Sequence, residues 1–128
     1  MDSFDISASG LTAQRARLDL ITNNIANVET TRTSEGGPYR RQQGVFATRG
    51  EQGGVEMIGT VADGRAPRPV WNPGHPDADK SGFVQFPNVN IVEEMVDLVS
   101  ATRSYEANAA AFNASKSIAQ HALDLGRV

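Results

Sequence analysis

The chain has 128 residues, a formal net charge of −3 and no cysteine. This length favours one domain, the small charge gives no electrostatic reason to expect nucleic acid or an anionic membrane as partner, and the lack of thiols excludes disulfides, thiol catalysis and thiolate metal sites. No apolar run approaches the length of a membrane-spanning helix, and the first ten residues do not resemble a secretory signal. These features predict a cytoplasmic protein, unless it leaves by a route that needs no cleaved signal.

The N-terminal part of the chain repeats apolar residues at every seventh position. The repeat consists of Phe4, Leu11, Leu18 and Ile25, with Ile21 and Val28 three residues after its last two members. A seven-residue apolar repeat is typical of a helix that packs along a narrow coiled-coil seam. The sequence therefore predicts a helix over residues 1–28, weakened at Gly10 by about 1 kcal/mol relative to alanine, followed by a loop in ETTRTSEGGP.

The middle segment, residues 29–87, is rich in Gly, Pro and Arg and contains three short β-like runs, GVFAT, GVEMIGTVA and PRPVWN. Asp63-Gly64 predicts a hairpin turn. Pro67 and Pro69 restrict the third run to an edge strand or an extended arm. This composition predicts a small β-rich insertion between two helical ends.

The C-terminal part repeats the heptad pattern over a longer stretch. Its first apolar series consists of Ile91, Leu98, Tyr105, Phe112 and Ala119, and a second series, four residues further on, consists of Met95, Thr102, Ala109 and Leu123, with Lys116 as the exception. Asn90 followed by Glu93 predicts an N-cap with a capping-box partner, and Gly126 predicts the helix end. These signals predict a helix of about 37 residues, or roughly 55 Å, within residues 88–128. The predicted fold class is mainly α with a small β-rich insertion.

One side of the long C-terminal helix has no predicted partner within the chain. That side carries Val92, Val99, Ala107, Ala110, Ala111, Ala114 and Ala122. The N-terminal helix can cover only one seam, and the β-rich segment is too small to cover the remainder. We therefore expect other subunits to supply the missing part of the core.

The stretch PGHPDAD, residues 73–79, raises the question of a metal or catalytic site. It places His75, Asp77 and Asp79 within five residues, and imidazole and carboxylate groups together can bind a divalent metal. Its two prolines forbid a helix, and no second carboxylate cluster lies at ligand spacing. We favour a proline-stiffened turn whose aspartates bond local backbone amides, with a small metal-binding or hydrolytic protein as the alternative. We expect no metal and no cofactor.

NNIAN, residues 23–27, places three asparagines at the end of the predicted N-terminal helix. Asparagine is unfavourable within a helix because its amide competes for backbone partners. The stretch indicates either a helix that runs out into its terminal loop, or amides that fix the register between helices, as one buried asparagine does in coiled coils.

Arginine is concentrated in the middle segment, at Arg32, Arg40, Arg41, Arg49, Arg65 and Arg68. Nucleic-acid binding would require aromatic residues between these positions for stacking, and only Tyr39, Phe46 and Trp71 are available. We favour solvated loop charges, or ion pairs with acidic residues of neighbouring subunits, and expect no nucleic-acid partner.

NNIANVETTRTSEGGPYRR resembles the N-terminal signature of bacterial flagellar axial proteins, the rod and hook group. That signature ends a helix with Asn-x-Ala-Asn and turns through Thr, and most members then continue with Pro-Gly-Tyr. This chain has a longer turn that contains Gly36, Pro38 and Tyr39, which is typical of one proximal rod member. The similarity continues from PGHPDADKSGFVQF through PNVN, EEM and RSYEAN to the end of the chain, with Phe83 where Tyr is common.

The resemblance implies a structural subunit and no enzyme. Members are exported by the flagellar type III apparatus without signal cleavage, and they polymerise into a hollow tube whose inner layer pairs N- and C-terminal helices as a coiled coil. Residues 1–28 and 88–128 would form that inner domain, and residues 29–87 an outer elaboration. The rod crosses the periplasm and transmits torque, and its implied components are copies of this chain, FlgB, FlgF, FlgG and the junction protein FliE. A soluble coiled-coil adaptor that forms a closed dimer stays open as an alternative.

Two sets of residues follow from these arguments. The residues expected at the assembly interface are Leu11, Leu18, Ile21, Asn24, Ile25, Asn27, Ile91, Met95, Leu98, Thr102, Tyr105, Asn108, Phe112 and Leu123. The residues expected in structural turns are Gly36, Pro38, Tyr39, Pro73, His75, Pro76, Asp77, Pro87 and Asn88.

Overall fold

The computed structural model describes residues 3–127, and their side chains at all positions except 3, 4 and 52. The predicted seam contact of Phe4 therefore lies outside the described residues. Two long helices, α1 (Ser3–Ala26) and α2 (Ile91–Leu125), pack against each other. They run antiparallel, because Gly10 faces Asn108 near one end and Asn24 lines a cavity with Asp97 near the other.

The ends of the long helix follow the local signals in the sequence. The Asn90 side chain accepts hydrogen bonds from the amides of Val92 and Glu93 at 3.0 and 3.3 Å, which confirms the predicted N-cap. At the other end the Gly126 amide donates to the Ala122 carbonyl at 3.1 Å, so the helix stops where the glycine predicts. The observed 35 residues are close to the predicted length.

The middle segment forms two separate hairpins. Strands β1 (Gln42–Thr48) and β2 (Val55–Ala62) pair antiparallel with a bulge between Val45 and Phe46. They are joined through a short 3₁₀ helix (Gly50–Gln52), whose flanking turns use the positive φ of Gly50, Gly53 and Gly54. Strands β3 (Arg68–Trp71) and β4 (Phe83–Phe86) form the second antiparallel pair.

The prediction of a hairpin turn at Asp63-Gly64 is wrong. The second β run pairs with the first run and not with the third, and the strand at residues 83–86 was not predicted at all. Asp63 Oδ1 instead accepts from the Arg65 amide at 2.9 Å, a local turn that leads the chain from one hairpin to the next. The third run is a strand of a two-stranded sheet, as its prolines require.

The core is small and lies at one end of the helix pair. Its buried side chains come from α1, from β4 and the segment after it, and from the first turns of α2: Ser9, Ala13, Ile21, Asn24, Val84, Pro87, Val89, Glu94 and Ala101. By contrast, every residue from 116 to 127 is exposed. The last turns of α2 therefore project beyond the rest of the chain. None of the described helices has the length and apolar character needed to cross a membrane.

Candidate assembly surfaces and the junction that positions them

The seam of α2 differs by one position from the predicted seam. Leu98 and Phe112 of the first predicted series are half-buried. The second series consists of Glu94 and Ala101, which are buried, and Asn108, which is half-buried; each lies three residues after a heptad position, whereas the prediction placed the series four residues after, where only Ala109 is half-buried. Each residue turns a helix by about 100°, so this difference moves Met95 and Thr102 out of the seam.

The predicted interface residues therefore fall into two groups. Those that are buried or half-buried within the chain are Leu11, Leu18, Ile21, Asn24, Ile25, Asn27, Leu98, Asn108 and Phe112. Those that are exposed are Ile91, Met95, Thr102, Tyr105 and Leu123. Except for Leu123, which lies near the other end of α2, the exposed group belongs to the same part of the helix as Val92, Val96 and Val99, which are also exposed. A single copy of the chain leaves this apolar surface in water.

Gly10 allows the helices to approach closely. A Cβ atom at this position would lie 2.7 Å from Oδ1 of Asn108, closer than real Cβ contacts. The Asn108 amide is held in place because its Nδ2 donates to the Ser104 carbonyl at 3.0 Å. The glycine that weakens the isolated helix is therefore required by the packing of the helix pair.

Asn24 joins the end of α1 to the start of β1. Its side chain is 1% exposed. Its Nδ2 donates to the Gln42 carbonyl at 2.9 Å, and its Oδ1 accepts from the Gln42 amide at 2.9 Å and from the Tyr39 hydroxyl at 2.6 Å. The side chain thus pairs with the backbone of β1 as a neighbouring strand would.

This geometry corrects the hypothesis that the NNIAN amides fix the register between helices. Asn24 fixes the register between a helix and a strand. The other amides act locally, since Asn27 Nδ2 donates to the Asn23 carbonyl at 2.8 Å and Asn27 Oδ1 accepts from the Thr30 hydroxyl at 3.0 Å. These contacts lead α1 into its terminal loop, as the alternative interpretation predicts.

Arg41 connects β1 to the first turns of α2. Its Nε is bonded to Oε1 of Glu94, which is 1% exposed, and its Nη2 lies 3.6 Å from Asp97 Oδ2. The second carboxylate oxygen of Glu94 has no hydrogen-bond partner among the described residues. The Glu94 charge therefore depends on Arg41. Removing one member of such a buried pair costs about 3–5 kcal/mol.

Asp63 and Tyr39 lie beside Asn24 and Arg41, in the junction where β1 meets the two helices. Burial and neighbouring charges there shift the pKa values of both side chains. The hydrogen bonds from Arg65 lower the pKa of Asp63 to about 2, with a further contribution from Arg41. Burial raises the pKa of the Tyr39 hydroxyl, and the Glu94 charge raises it further, against a hydrogen bond from Asn23. Near neutral pH the Asp63 carboxylate is therefore ionised beside Arg65, and the Tyr39 phenol is neutral.

PGHPDAD forms the loop of the β3–β4 hairpin. The Asn72 amide donates to the Gly82 carbonyl at 2.8 Å across the base of this loop. Asp79 Oδ1 accepts from the Ser81 and Phe83 amides at 2.8 and 2.9 Å, which is the local backbone bonding that the sequence predicts. His75 Nδ1 accepts from the Asp77 amide at 3.0 Å, so one imidazole nitrogen is already used.

Asp77 does not bond local amides, and this part of the turn prediction is wrong. Its carboxylate accepts from the Thr31 hydroxyl at 2.7 Å and pairs with Arg32, both in the loop after α1. These partners, Thr31 first, lower the pKa of Asp77. The loop therefore ties two distant parts of the chain together. Within residues 3–127, no three His, Asp or Glu side chains are grouped so that they could hold a metal ion.

The remaining turn residues lie in the segments that enter and leave the hairpins. The Gly36 amide donates to the Thr33 carbonyl at 2.9 Å, and the Tyr39 amide to the Thr30 carbonyl at 3.0 Å. Pro87 is fully buried, and Asn88 Nδ2 donates to the Ala66 carbonyl at 3.1 Å. These contacts brace the turn after α1 and the entry into α2. Pro38 is half-buried, while Pro73 and Pro76 are exposed.

Five of the six arginines of the middle segment contact groups within the chain. Arg32 pairs with Asp77, Arg41 with Glu94 and Arg65 with Asp63. Arg40 Nη1 donates to the Asp63 carbonyl at 3.3 Å, and Arg68 lies 5.7 Å from the centre of the Phe86 ring. These charges are thus distributed over separate contacts within the chain.

Comparison with known proteins places both helices in flagellar families. Residues 4–32 match the family model described as flagella basal body rod protein. Residues 80–125 match the model described as flagellar basal body rod FlgEFG protein C-terminal. These two matches cover all of α1 except its first residue and the whole of α2.

Relatives from several bacteria match nearly the whole chain, and each is named flagellar basal-body rod protein FlgC. The relative from Borreliella burgdorferi is 45% identical, over 94% of this chain and 93% of its own length. Those from Bacillus subtilis and Salmonella typhimurium are 41% and 40% identical, over 98% and 99% of this chain and 97% and 98% of their own lengths. The chain therefore belongs to the family of flagellar basal-body rod proteins named FlgC.

Proposed function

We propose that this chain is a structural subunit of the proximal rod of the bacterial flagellar basal body, and not an enzyme. It polymerises through its terminal helices into a hollow, export-competent drive shaft that transmits torque. The observation that carries this proposal is the exposed apolar surface of α2, because Met95, Val96 and Val99 are each more than half exposed. Contiguous exposed apolar surface of this kind is typical of an interaction site.

The helical and β-rich parts of the chain have separate roles in this proposal. Residues 1–28 and 88–128 form the helical inner domain, in which α1 and α2 pack with helices of neighbouring copies as a coiled coil. Residues 29–87 form the outer elaboration and face other components. The contacts of Asn24 and Arg41 support this division because they fix the β1–β2 hairpin to one end of the helix pair.

The partners and location follow from the same assembly. We propose that the chain contacts copies of itself, the rod proteins FlgB, FlgF and FlgG, and the junction protein FliE. It reaches its place in the periplasm through the flagellar type III apparatus, without cleavage of a signal. A small core supports this route, since few buried contacts have to be undone to unfold the chain for export.

The two alternatives have less support. A metal or hydrolytic site at His75 would have to break existing contacts. His75 Nδ1 already accepts from the Asp77 amide, and the Asp77 carboxylate is bonded to Thr31 and Arg32. A closed coiled-coil dimer would bury the exposed side of α2 in solution. The purified chain would then sediment as a dimer with a stable α2, whereas the rod subunit is expected to be a monomer before assembly.

Deletion and complementation in the source bacterium test the proposal. Cells that lack the chain should export no filament and should not swim, and a tagged copy should restore swimming. Basal bodies isolated from the complemented cells should contain the tagged chain in their rods. Motile deletion cells, or basal bodies without the chain, would show that the proposal is wrong.

A further inference from the structure

We infer that protonation of His75 opens the contact between the PGHPDAD loop and the loop after α1, so that this contact is a pH-sensitive device of the fold. The loop contact consists of the bonds from Thr31 and Arg32 to the Asp77 carboxylate. The inference goes beyond the proposed function and does not depend on it.

Asp77 links His75 to the loop contact through its own backbone. Its amide donates to His75 Nδ1 at 3.0 Å, while its carboxylate accepts from the Thr31 hydroxyl at 2.7 Å and pairs with Arg32. Nδ1 can accept only when it carries no proton, so the imidazole is neutral and has its single N–H at Nε2. The amide bond thus holds residue 77 in the orientation from which its side chain reaches residues 31 and 32.

A second proton on the imidazole removes the bond from the Asp77 amide. Both ring nitrogens of a charged histidine are donors, so the Nδ1–H of His75 then faces the Asp77 N–H, and two donors meet. The ring packs edge-on against Phe86, with 6.2 Å between the ring centres and 63° between the planes, so it cannot turn away without losing that contact. The Asp77 carboxylate is an acceptor in the same loop, and the new Nδ1–H competes for it with Thr31 and Arg32.

The charge of His75 does not hold the loop contact closed in acid. The Thr31 hydroxyl first, and then Arg32, lower the pKa of Asp77, and a charge on His75 lowers it further, so the carboxylate stays ionised when the imidazole takes up its proton. Their attraction draws the carboxylate towards the imidazole and away from residues 31 and 32. The closed contact therefore requires neutral His75. It is fully formed at higher pH and is lost as the pH falls through the range in which histidine ordinarily titrates, about pH 5 to 8.

Other charged side chains around His75 do not titrate in that range. They belong to its own loop, to the loop after α1 and to β3, whose arginine lies on the Phe86 ring that also contacts His75: Asp77, Asp79, Lys80, Arg32 and Arg68. Carboxylate, ammonium and guanidinium groups ordinarily keep their charges between about pH 5 and 8. A change in the loop contact over this range therefore reports the protonation of His75.

The opening is confined to the tip of the β3–β4 hairpin because its base is held independently. The Asn72 amide donates to the Gly82 carbonyl, and the Asp79 amide to the Phe83 carbonyl, both at 2.8 Å. Val84 in β4 is fully buried. These contacts do not involve an imidazole. We therefore expect residues 73–78 to leave residues 31 and 32 in acid while the pairing of β3 with β4 persists.

Nuclear magnetic resonance titration of the purified, isotope-labelled chain from about pH 8 to about pH 5 tests the inference. The backbone amide signals of Thr31, Arg32 and Asp77 should shift with one midpoint, and this midpoint should equal the one measured on the His75 ring. The protection of the Asp77 amide from hydrogen exchange, relative to the unfolded chain, should fall about five-fold, the factor that corresponds to one lost hydrogen bond. The Asn72 amide should keep its protection.

Three variants separate the steps. His75→Asn keeps an acceptor that does not titrate, because an asparagine side chain bonds the amide two residues on, so the three signals should stay constant over the whole range. The matched change His121→Asn, at the only other histidine and on the exposed end of α2, should leave the three shifts as they are in the natural chain. Asp77→Asn removes the carboxylate, so the amide of residue 77 should still follow His75 while Thr31 and Arg32 no longer do.

Three results would overturn the inference. Thr31 and Arg32 signals that stay constant while the His75 ring titrates would show that the proton does not reach the loop contact. An unchanged transition in the His75→Asn variant would assign it to another group. A His75 ring that stays neutral down to about pH 5 would show that the contact does not open in this range. Because all measurements use the purified chain, none of these results bears on the proposed function.

Discussion

Replacing Asn24 with alanine tests the junction between α1 and β1 most directly. The substitution removes the partner of three groups, the amide and carbonyl of Gln42 and the hydroxyl of Tyr39. Gln42 and Tyr39 are half-buried, so water compensates them only in part. At about 1 kcal/mol for each lost hydrogen bond, we expect the free energy of unfolding to fall by about 3 kcal/mol. A typical domain has only about 5–15 kcal/mol in total.

The neighbouring residue Asn23 supplies the matched control. It is exposed, and its side chain makes weaker contacts, at 3.2 Å to the Tyr39 hydroxyl and to Asn27. Asn23→Ala should therefore lower the free energy of unfolding by less than about 1 kcal/mol. Urea titrations of both purified variants, followed by far-ultraviolet circular dichroism, measure the difference. Equal effects of the two substitutions would refute the role given to Asn24.

Four further predictions concern the loop, the seam, the helix end and the charges. His75→Ala should leave metal content unchanged and impair swimming only mildly, because the imidazole accepts one local bond; stoichiometric zinc or iron in the natural protein that the variant lacks would contradict this. Leu98→Asp places a carboxylate in a half-buried seam position, at a cost of several kcal/mol, so cells should export the chain but build no complete rod and not swim, whereas Glu106→Lys on the exposed side should be much milder; normal swimming of the Leu98→Asp cells would show that the seam is misassigned. In the monomer, amides of residues 116–125 should exchange within the dead time while those of 94–101 are protected, since only the latter lie at the core; uniformly slow exchange along α2 would count against this. Because the pKa of Asp63 is lowered to about 2 when folded, its contribution to stability is present above the ordinary carboxyl pKa of about 4 and is lost as the pH falls towards 2; the stability difference from Asp63→Asn should shrink over that range, and a constant difference would exclude this linkage.

The features that the sequence predicted well depend on neighbours along the chain. The cap at Asn90 and the stop at Gly126 are set by residues within one helical turn, and the heptad repeats locate both helices to within a few residues. The features that were missed depend on distant partners. β2 could pair with β1 or with β3, and the Asp63-Gly64 turn signal does not distinguish these two pairings.

The burial of Glu94 also depends on a distant partner, so it could not be predicted from neighbouring residues. An acidic residue in the first turn of a helix is normally explained by the helix dipole and solvent, so the pattern gave no sign of its burial. Only the approach of Arg41, 53 residues earlier in the chain, makes the buried carboxylate possible. The seam consequently includes Glu94 and Ala101, while the more apolar Met95 lies outside it. This seam would have been predicted only by placing the second series three residues after the heptad positions instead of four.

The contacts that Tyr39, Arg41 and Gln42 make with the two helices have a mechanical consequence. Two bonds from Gln42 and one from Tyr39 end on α1, and the bond from Arg41 ends on α2. A force that pulls the β1–β2 hairpin away from the helices loads these four bonds in parallel, so each bears only a share and none can open alone. Hydrogen bonds are directional, so they also resist sliding, which apolar contacts between smooth surfaces do not. A rotating shaft built from such subunits would twist as one body at this joint.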